Sequence, residues 1–262
     1  MTFEDQRISD YLKYESIESV FKKHRYNLPI SFAGFARLLN KRGVVTTAGP
    51  NSHLSESLYF FSLLKEYGGS IGKLHQKLGL KISTQTLHRV LHNIRFGVTR
   101  RYGAALIIEN INAPEYFLFG QDSSLHGKLG QKGDWTLPMS HTRQQDSHYT
   151  SILRVLQREV FTQQTIYNDF PHKLLNQNLK PIFKIDITDI SVSIYHLKID
   201  LKQYQFSSFK LFNYQALNLQ EIKSLKTRPG VKEIIENFTL HSVRCNLSSN
   251  LNSELQEAYM IK

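Results

Sequence analysis

Residues 135–162 read WTLPMSHTRQQDSHYTSILRVLQREVFT and predict a loop that runs into a helix. The apolar residues that recur there at helical spacing are Ile152, Leu153, Leu156 and Val160. An amphipathic helix over residues 147–160 that simply buries this face is one explanation of the pattern. The charged residues on the other faces call for a second explanation.

The same stretch resembles the Nudix box, the loop–helix–loop that holds metal and diphosphate in Nudix hydrolases. The family pattern is Gly, five residues, Glu, seven residues, then Arg-Glu-aliphatic-any-Glu-Glu-any-Gly-aliphatic. Aligned without a gap, Ser140 stands at the Gly, Asp146 at the first Glu and Arg154 at the Arg. Leu156 keeps the aliphatic position, and residues 135–138 match the W-x-L-P that precedes the box in many members.

The three helix glutamates of the family pattern fall on Val155, Arg158 and Glu159, so only one carboxylate is kept. In the family these carboxylates share one helix face and hold the divalent cations that polarise phosphate and orient water. Val155 has no lone pair. Arg158 places a positive charge where a dication would bind, which at ~5 Å and an effective dielectric of ~20 costs roughly 6 kcal/mol.

This pattern predicts a site that has lost most of its catalytic chemistry. We expect no catalytic residue and no certain cofactor, with Mg²⁺ needed only if Nudix hydrolysis persists. The residues expected to contact a bound ligand are Asp146, Arg154, Arg158 and Glu159.

The segments on both sides of the box extend the resemblance to residues 102–240. Two apolar runs, 102–110 and 114–123, are joined by an Asn/Pro turn, as in the first hairpin of a Nudix fold. After the box, residues 182–201 alternate like strands, and helices are predicted near 217–225 and 231–238. The resemblance implies an α/β/α Nudix-like sandwich.

Composition indicates an intracellular globular protein. The chain has 262 residues, of which 40% are apolar, and this is enough for two domains. Its single cysteine, Cys245, cannot form an internal disulfide, which indicates a reducing compartment. We find no basic-then-apolar leader and no apolar run close to the ~20 residues of a membrane-spanning helix. The expected location is the cytoplasm, with no membrane partner.

The net charge of +11 is concentrated in the N-terminal part of the chain. No acidic residue occurs between Tyr67 and Leu106, where basic residues recur. Such a one-sided basic field is typical of proteins that bind a polyanion, whereas charge that serves only solubility would be spread more evenly. The predicted partner is DNA, with RNA as the alternative.

Residues 70–95 have the proportions of a helix-turn-helix, with SIGKLHQKLG, a break at LKIS, and TQTLHRVLHNIR. Ser83 is a suitable N-cap for the second helix, and FGVTRRYG, residues 96–103, follows as a candidate wing. The side chains expected to reach bases or phosphates are Lys73, Gln85, Thr86, His88, Arg89, His92, Arg95, Arg100 and Arg101. An ordinary helical hairpin is the competing explanation, because any helical pair with a short link shows this pattern.

Together these patterns predict an α+β protein of four parts. Residues 1–30 predict an amphipathic helix that packs on the next domain or on a partner. Residues 31–101 predict an all-α winged helix-turn-helix domain, with Ser31 capping its first helix. Residues 102–243 predict the Nudix-like domain, and residues 244–262 a polar tail dispensable to the core.

Metal ligands outside the box are not indicated by the sequence. No metal-binding spacing connects His141, His148, His172, His196 and His241. Asp186 and Asp189 are potential replacement carboxylates. Since Asp is depleted within strands, one of the two is expected to mark a turn.

The combination of parts suggests three functions. Bacterial Nudix-related transcription regulators are similar in parts, since they join a Nudix sensor domain to a winged helix, although in the opposite order. We therefore expect a DNA-binding regulator or accessory subunit whose Nudix-like domain binds a nucleoside-diphosphate-type ligand, or docks a protein partner or a second copy of the chain. The alternatives are a divergent Nudix hydrolase, and a scaffold in a mobile-element or phage-defence assembly.

Overall fold

The computed structural model describes most of the chain but only scattered residues between positions 48 and 100. The described residues are 1–47, 85, 88–89, 92–93, 96, 98–99, 101–123, 132–176, 180–187, 190–228, 230–241 and 247–250. Three segments lie outside them: the predicted first helix of the helix-turn-helix, Ser83, which is the predicted cap of its second helix, and the connection over residues 124–131. Within the described part, no helix is long and apolar enough to cross a membrane.

Three short helices form the N-terminal part: α1 (Phe3–Tyr14), α2 (Ile17–Lys23) and α3 (Phe32–Lys41). The expectation of one amphipathic helix over residues 1–30 is wrong, because Glu15 takes a left-handed conformation (φ 68°) that ends α1. Ser16 then caps α2 by accepting a hydrogen bond from the Ser19 N–H. Ser31 caps α3 in the same way, as predicted.

These helices share one apolar core, to which α1 contributes Ile8, α2 contributes Val20, and α3 contributes Phe35 and Leu39. Ile166, from the Nudix-like part of the chain, belongs to the same core. The segment predicted to be a separate N-terminal helix therefore packs with α3. We call residues 1–47 the N-terminal layer.

An eight-stranded mixed sheet forms the centre of the remaining chain. Its strands are β1 (Arg101–Asn110), β2 (Ala113–Asp122), β3 (Trp135–Thr136), β4 (Met139–Thr142), β5 (Phe183–Ile187), β6 (Ile190–Ile199), β7 (Leu211–Leu217) and β8 (Leu247–Asn250). The main order is β3-β2-β1-β6-β5-β8, with β4 paired to β1 and β7 to β2. The strands β1 and β2 form the predicted antiparallel hairpin, while β1 and β6 are parallel.

Alternation along β1 separates two cores, one on each face of the sheet. Ala105 and Ile107 pack with α6 (Leu219–Ser224) and α7 (Val231–His241). Leu106 and Ile108 face the opposite way and pack with α4 (His148–Glu159), which α5 (Thr162–Ile166) follows. Helices thus cover both faces, and the α/β/α order implied by the sequence is confirmed for this part of the chain.

Two predicted segments differ from expectation at the edges of this domain. Arg101 is the first residue of β1 and pairs with Ile190, so the last three residues of the candidate wing belong to the sheet. The winged form of the N-terminal domain is therefore not seen among the described residues. The predicted polar tail contributes β8, which pairs in parallel with β5.

Candidate functional site

The site is built around α4, the helix that the box frame predicts. Ser147 caps it by accepting a hydrogen bond from the Thr150 N–H. Ile152, Val155 and Leu156 are fully buried against the sheet. At the start of the helix, His148 Nδ1 lies 2.9 Å from the Tyr195 hydroxyl on β6. The helix is therefore fixed in rotation, and this decides which side chains face away from the sheet.

Arg154 and Asp146, both predicted to contact a ligand, are paired with each other. Arg154 Nη1 lies 2.5 Å from Asp146 Oδ2, and the arginine is 1% exposed. Its Nε also donates to the Thr46 carbonyl at 2.9 Å. Asp146 Oδ2 in turn accepts the Arg143 N–H at 2.6 Å. These contacts tie the loop before α4 to the helix and to the N-terminal layer.

Arg158 is paired with a carboxylate that the sequence did not indicate. Its Nη2 lies 2.9 Å from Glu15 Oε1, although the two residues are far apart in the chain. Lys210, just before β7, places Nζ 2.6 Å from the same Glu15 oxygen. The Glu15 carboxylate thus forms ion pairs with two cations, and the attraction is stronger for the buried Arg158 than it would be in water.

Glu159, the retained box glutamate, is buried at the end of α4. Its Oε2 accepts the Met139 N–H at 3.0 Å, and its Oε1 lies 3.9 Å from Lys210 Nζ. The Tyr214 hydroxyl donates to the Glu159 backbone carbonyl at 2.6 Å. Burial raises the pKa of the Glu159 carboxyl, and the Lys210 ammonium and the Met139 N–H offset only part of that rise.

The pKa of Glu159 is raised in the folded state, so its deprotonation opposes folding. The free energy of unfolding contributed by this group is highest below the unfolded pKa and falls as the pH rises through the folded pKa.

The N-terminal layer covers the side of α4 that faces away from the sheet. The Gln157 side chain accepts the Val45 N–H at 2.9 Å and donates to the Gly43 carbonyl at 2.8 Å. Thr46 contacts Arg154, and Glu15 contacts Arg158. Arg154, Gln157 and Arg158, which lie on the same side of α4, therefore all contact the N-terminal layer. Sequence reasoning missed Glu15 and Lys210, because no local spacing connects them to the box. It missed Gln157 because the family pattern accepts any residue at that position.

The residues present do not fit the divalent cations of a Nudix site. Val155 lies in the core, Arg158 is a cation paired to Glu15, and Glu159 already accepts a backbone N–H. Hard dications need several oxygen ligands, mostly carboxylates. In the described residues no group of three or more His, Cys, Asp or Glu is placed to hold a metal ion. Asp186 lies in β5, and Asp189 is outside the described residues.

The predicted nucleic-acid residues are described only in part. Gln85, His88, Arg89 and His92 are helical and exposed, and together they line a surface cavity of about 460 Å³. The centroids of the His92 and Phe96 rings lie 4.5 Å apart. Arg101 is half-buried in β1. The predicted residues that lie outside the described part are Lys73, Thr86, Arg95 and Arg100.

The strand order, the helix at the box and the helices on the opposite face define an α+β protein with a Nudix-like fold over residues 101–241. No protein-family model matches the chain, and no curated protein sequence matches it.

Solved structures similar to this chain include a MutT protein, a Nudix hydrolase and an Ap4A hydrolase. The MutT protein of Methanosarcina mazei is 14% identical over 56% of this chain and 98% of its own, with a TM-score of 0.38. A Nudix hydrolase of Nitrosomonas europaea is 15% identical over 58% of this chain and 80% of its own, with a TM-score of 0.38. An Ap4A hydrolase of C. elegans is 14% identical over 53% of this chain and 97% of its own, with a TM-score of 0.38.

Proposed function

We propose that the protein binds nucleic acid and uses its Nudix-like domain as a non-cleaving module for sensing a nucleotide or docking a partner. A transcription regulator or an accessory subunit of a nucleoprotein complex has this organisation. The observation that carries the proposal is the ion pair between Arg158 and Glu15, because it puts a cation and its internal partner where hydrolysis needs carboxylates and metal.

The proposed loss of hydrolysis is supported by the burial of the residues that stand in place of the box glutamates. Val155 is fully buried, and Arg158 is 6% exposed, so neither is a surface substitution. The N-terminal layer also engages Arg154 and Gln157 on the same helix. In a Nudix site the attack of water on phosphorus depends on divalent cations held by carboxylates, and Val155 and the paired Arg158 offer no such ligands.

The nucleic-acid role is supported by charge and by exposure. The chain carries +11 net charge, with no acidic residue between Tyr67 and Leu106. Within that stretch, Gln85, His88, Arg89 and His92 are exposed on helical residues. These side chains can donate to phosphates and base edges. A nucleotide bound to the Nudix-like domain and a bound nucleic acid would then change each other's affinity by the same factor.

A variant with Ala in place of Arg89, Arg95, Arg100 and Arg101 is expected to lose most nucleic-acid affinity. If each arginine neutralises one DNA phosphate, the slope of log K against log salt falls by about 3 to 4. Fluorescence anisotropy with a labelled duplex at several salt concentrations measures both quantities. The matched control removes the same charge elsewhere, by Ala substitutions at Lys198, Lys202, Lys223 and Lys226. Equal loss in both variants would refute a local interface at residues 85–101.

A divergent Nudix hydrolase is the second candidate, and the retention of Glu159 in a Nudix-like fold favours it. The test incubates the purified full chain with Mg²⁺ or Mn²⁺ and ADP-ribose, NADH or a dinucleoside polyphosphate. We expect no product above the protein-free rate. Metal-dependent turnover that disappears in Glu159→Gln would establish the hydrolase and refute the non-cleaving module.

A further inference from the structure

The turn between α2 and α3 carries two exposed aromatic rings. Tyr26 is 58% exposed and Phe32 is 44% exposed. Both rings contact the ring of the buried Phe21: the centroid of the Phe32 ring is stacked 4.0 Å from it, and that of the Tyr26 ring lies 6.3 Å away. Phe21 therefore holds the two exposed rings close to each other. We call Arg25, Tyr26 and Phe32 the aromatic turn.

The segment that contains the aromatic turn is rich in positive charge. No acidic residue occurs between Glu18 and Glu56, a stretch that holds six Lys or Arg residues. Acidic residues from outside this stretch pair with three of the six, which are Lys22, Lys41 and Arg42. The other three are exposed and form no ion pair within the part of the chain that the structure describes, and they are Lys23, Arg25 and Arg37. This charge suits an anionic partner.

The backbone of the aromatic turn is strained at two consecutive residues. Arg25 and Tyr26 have left-handed conformations, with φ 51° and φ 58°. They end α2, because the Arg25 N–H donates to the Lys22 carbonyl at 3.1 Å and the Tyr26 N–H donates to the Phe21 carbonyl at 2.7 Å. The first left-handed position after a helix is usually glycine, since a β-carbon is unfavourable there. Arg25 therefore costs stability at a position where glycine would not, and such strain is typical of functional sites.

We propose that the aromatic turn binds single-stranded nucleic acid, with bases stacked on Tyr26 and Phe32 and a phosphate held by the Arg25 guanidinium. Aromatic rings stack on any base, and the planar guanidinium donates to phosphate oxygens. Unpaired strands expose the faces of their bases, whereas a duplex would offer this surface only its phosphates. The inference goes beyond the proposed function, because the surface lies outside residues 70–101 and binds a different form of nucleic acid.

An anionic membrane is the other partner that suits aromatic and basic side chains. Binding to a membrane surface depends on a continuous apolar face that enters the lipid. The aliphatic residues of this turn, Leu28 and Ile30, are half-buried and pack against the core of the N-terminal layer. The two rings, held beside an arginine, therefore favour nucleic acid.

Fluorescence anisotropy of the full chain tests the surface with a labelled thymidine oligonucleotide, the matching uridine oligonucleotide and a duplex of the same length. Phe32→Ala and Tyr26→Asn should each bind the single strands about tenfold more weakly than the wild type and keep the duplex affinity within about twofold. Asn replaces Tyr26 because it tolerates the left-handed conformation. Loss of affinity for either single strand supports the proposal, and the strand that the wild type binds more tightly identifies DNA or RNA.

The Arg25→Gly variant separates binding from folding. Glycine relieves the left-handed backbone, so the Tm of this variant should equal or exceed that of the wild type. Its affinity for single strands should fall, and the slope of log K against log salt should decrease by about 0.7, as expected for one lost phosphate contact. A residue with only a structural role would leave this slope unchanged.

The matched controls are Tyr149→Ala, which removes an exposed ring from α4, and Lys173→Ala, which removes an exposed cation from the Nudix-like part of the chain. Both should bind single strands like the wild type. Thermal unfolding shows that each variant is folded.

Four outcomes would overturn the proposal. They are no binding of single strands by the wild type, wild-type affinity in all three variants of the aromatic turn, an equal loss in the controls, and loss of binding to phosphatidylserine vesicles in place of nucleic acid. Duplex binding distinguishes this failure from a failure of the proposed function. The duplex affinity should be lost in the variant with Ala at Arg89, Arg95, Arg100 and Arg101, and it should persist in the variants of the aromatic turn.

Discussion

A Val155→Glu variant, which restores the first missing box glutamate, is expected to lose about 4 kcal/mol or more of its free energy of unfolding at pH 7. Val155 is fully buried and packs with Leu106, Ile108, Ile152 and Leu156. A carboxylate there finds no partner, and it must either stay charged in an apolar core or bind a proton. Since a domain of this size has ~5–15 kcal/mol of stability, the loss is a large fraction of the total.

Urea unfolding at pH 7 and pH 5 measures this loss. Burial raises the pKa of an introduced carboxyl, so the stability deficit should grow as the pH rises through the folded pKa. Val155→Gln is the matched control, because glutamine has nearly the same shape as glutamate and carries no charge. Its deficit should be smaller at pH 7 and should not follow the pH. A Val155→Glu protein as stable as the wild type, or one whose Tm rises with Mg²⁺, would show that position 155 opens onto a metal site.

The expected result for Val155 depends on where the residue lies. A valine that faced an open cleft could be replaced by glutamate with little loss of stability. Here Val155 completes the core between α4 and the sheet, and Arg158 has acquired Glu15 as a partner. Val155 and Arg158 therefore contribute to the packing and to the charge pairing of the fold.

Local patterns were sufficient to predict most of the Nudix-like domain. The two apolar runs that form β1 and β2, the turn between them and the amphipathic helix after residue 147 follow from short-range patterns. The helices after β7 were also placed correctly, within one to three residues at most ends. These strands could be predicted because an apolar run such as β1 or a partly alternating pattern such as β6 is visible within a few consecutive residues.

The site itself could not be predicted, because its contacts connect distant segments. Arg158 looked like a charge opposed to a metal, and nothing near it in the chain indicates Glu15 as its partner. The left-handed conformation of Glu15, which splits the predicted N-terminal helix, also depends on tertiary contacts such as the Thr47 hydroxyl on the Glu15 carbonyl. Charge pairing over long sequence distances has no periodic signature.

Arg154→Met is expected to lose about 3–5 kcal/mol of the free energy of unfolding, because it leaves the Asp146 carboxylate without its buried partner. It also removes the 2.9 Å bond to the Thr46 carbonyl, which links α4 to the N-terminal layer. Urea unfolding of Arg154→Met, Asp146→Asn and the double variant gives a double-mutant cycle. The double variant should lose less than the two single variants added together, since each alone strands a charge.

Arg143→Met is the matched control for this prediction. Arg143 reaches the same segment, with Nη2 2.9 Å from the Thr47 carbonyl, but its side chain is exposed, so a loss below about 1 kcal/mol is expected. The comparison decides whether Arg154 and Asp146 stabilise the fold or bind a ligand. If they bind a ligand instead, Arg154→Met would stay within about 1 kcal/mol of the wild type in its free energy of unfolding. The geometry favours the structural role, because Arg154 is 1% exposed and its hydrogen-bonding groups already meet Asp146 and Thr46.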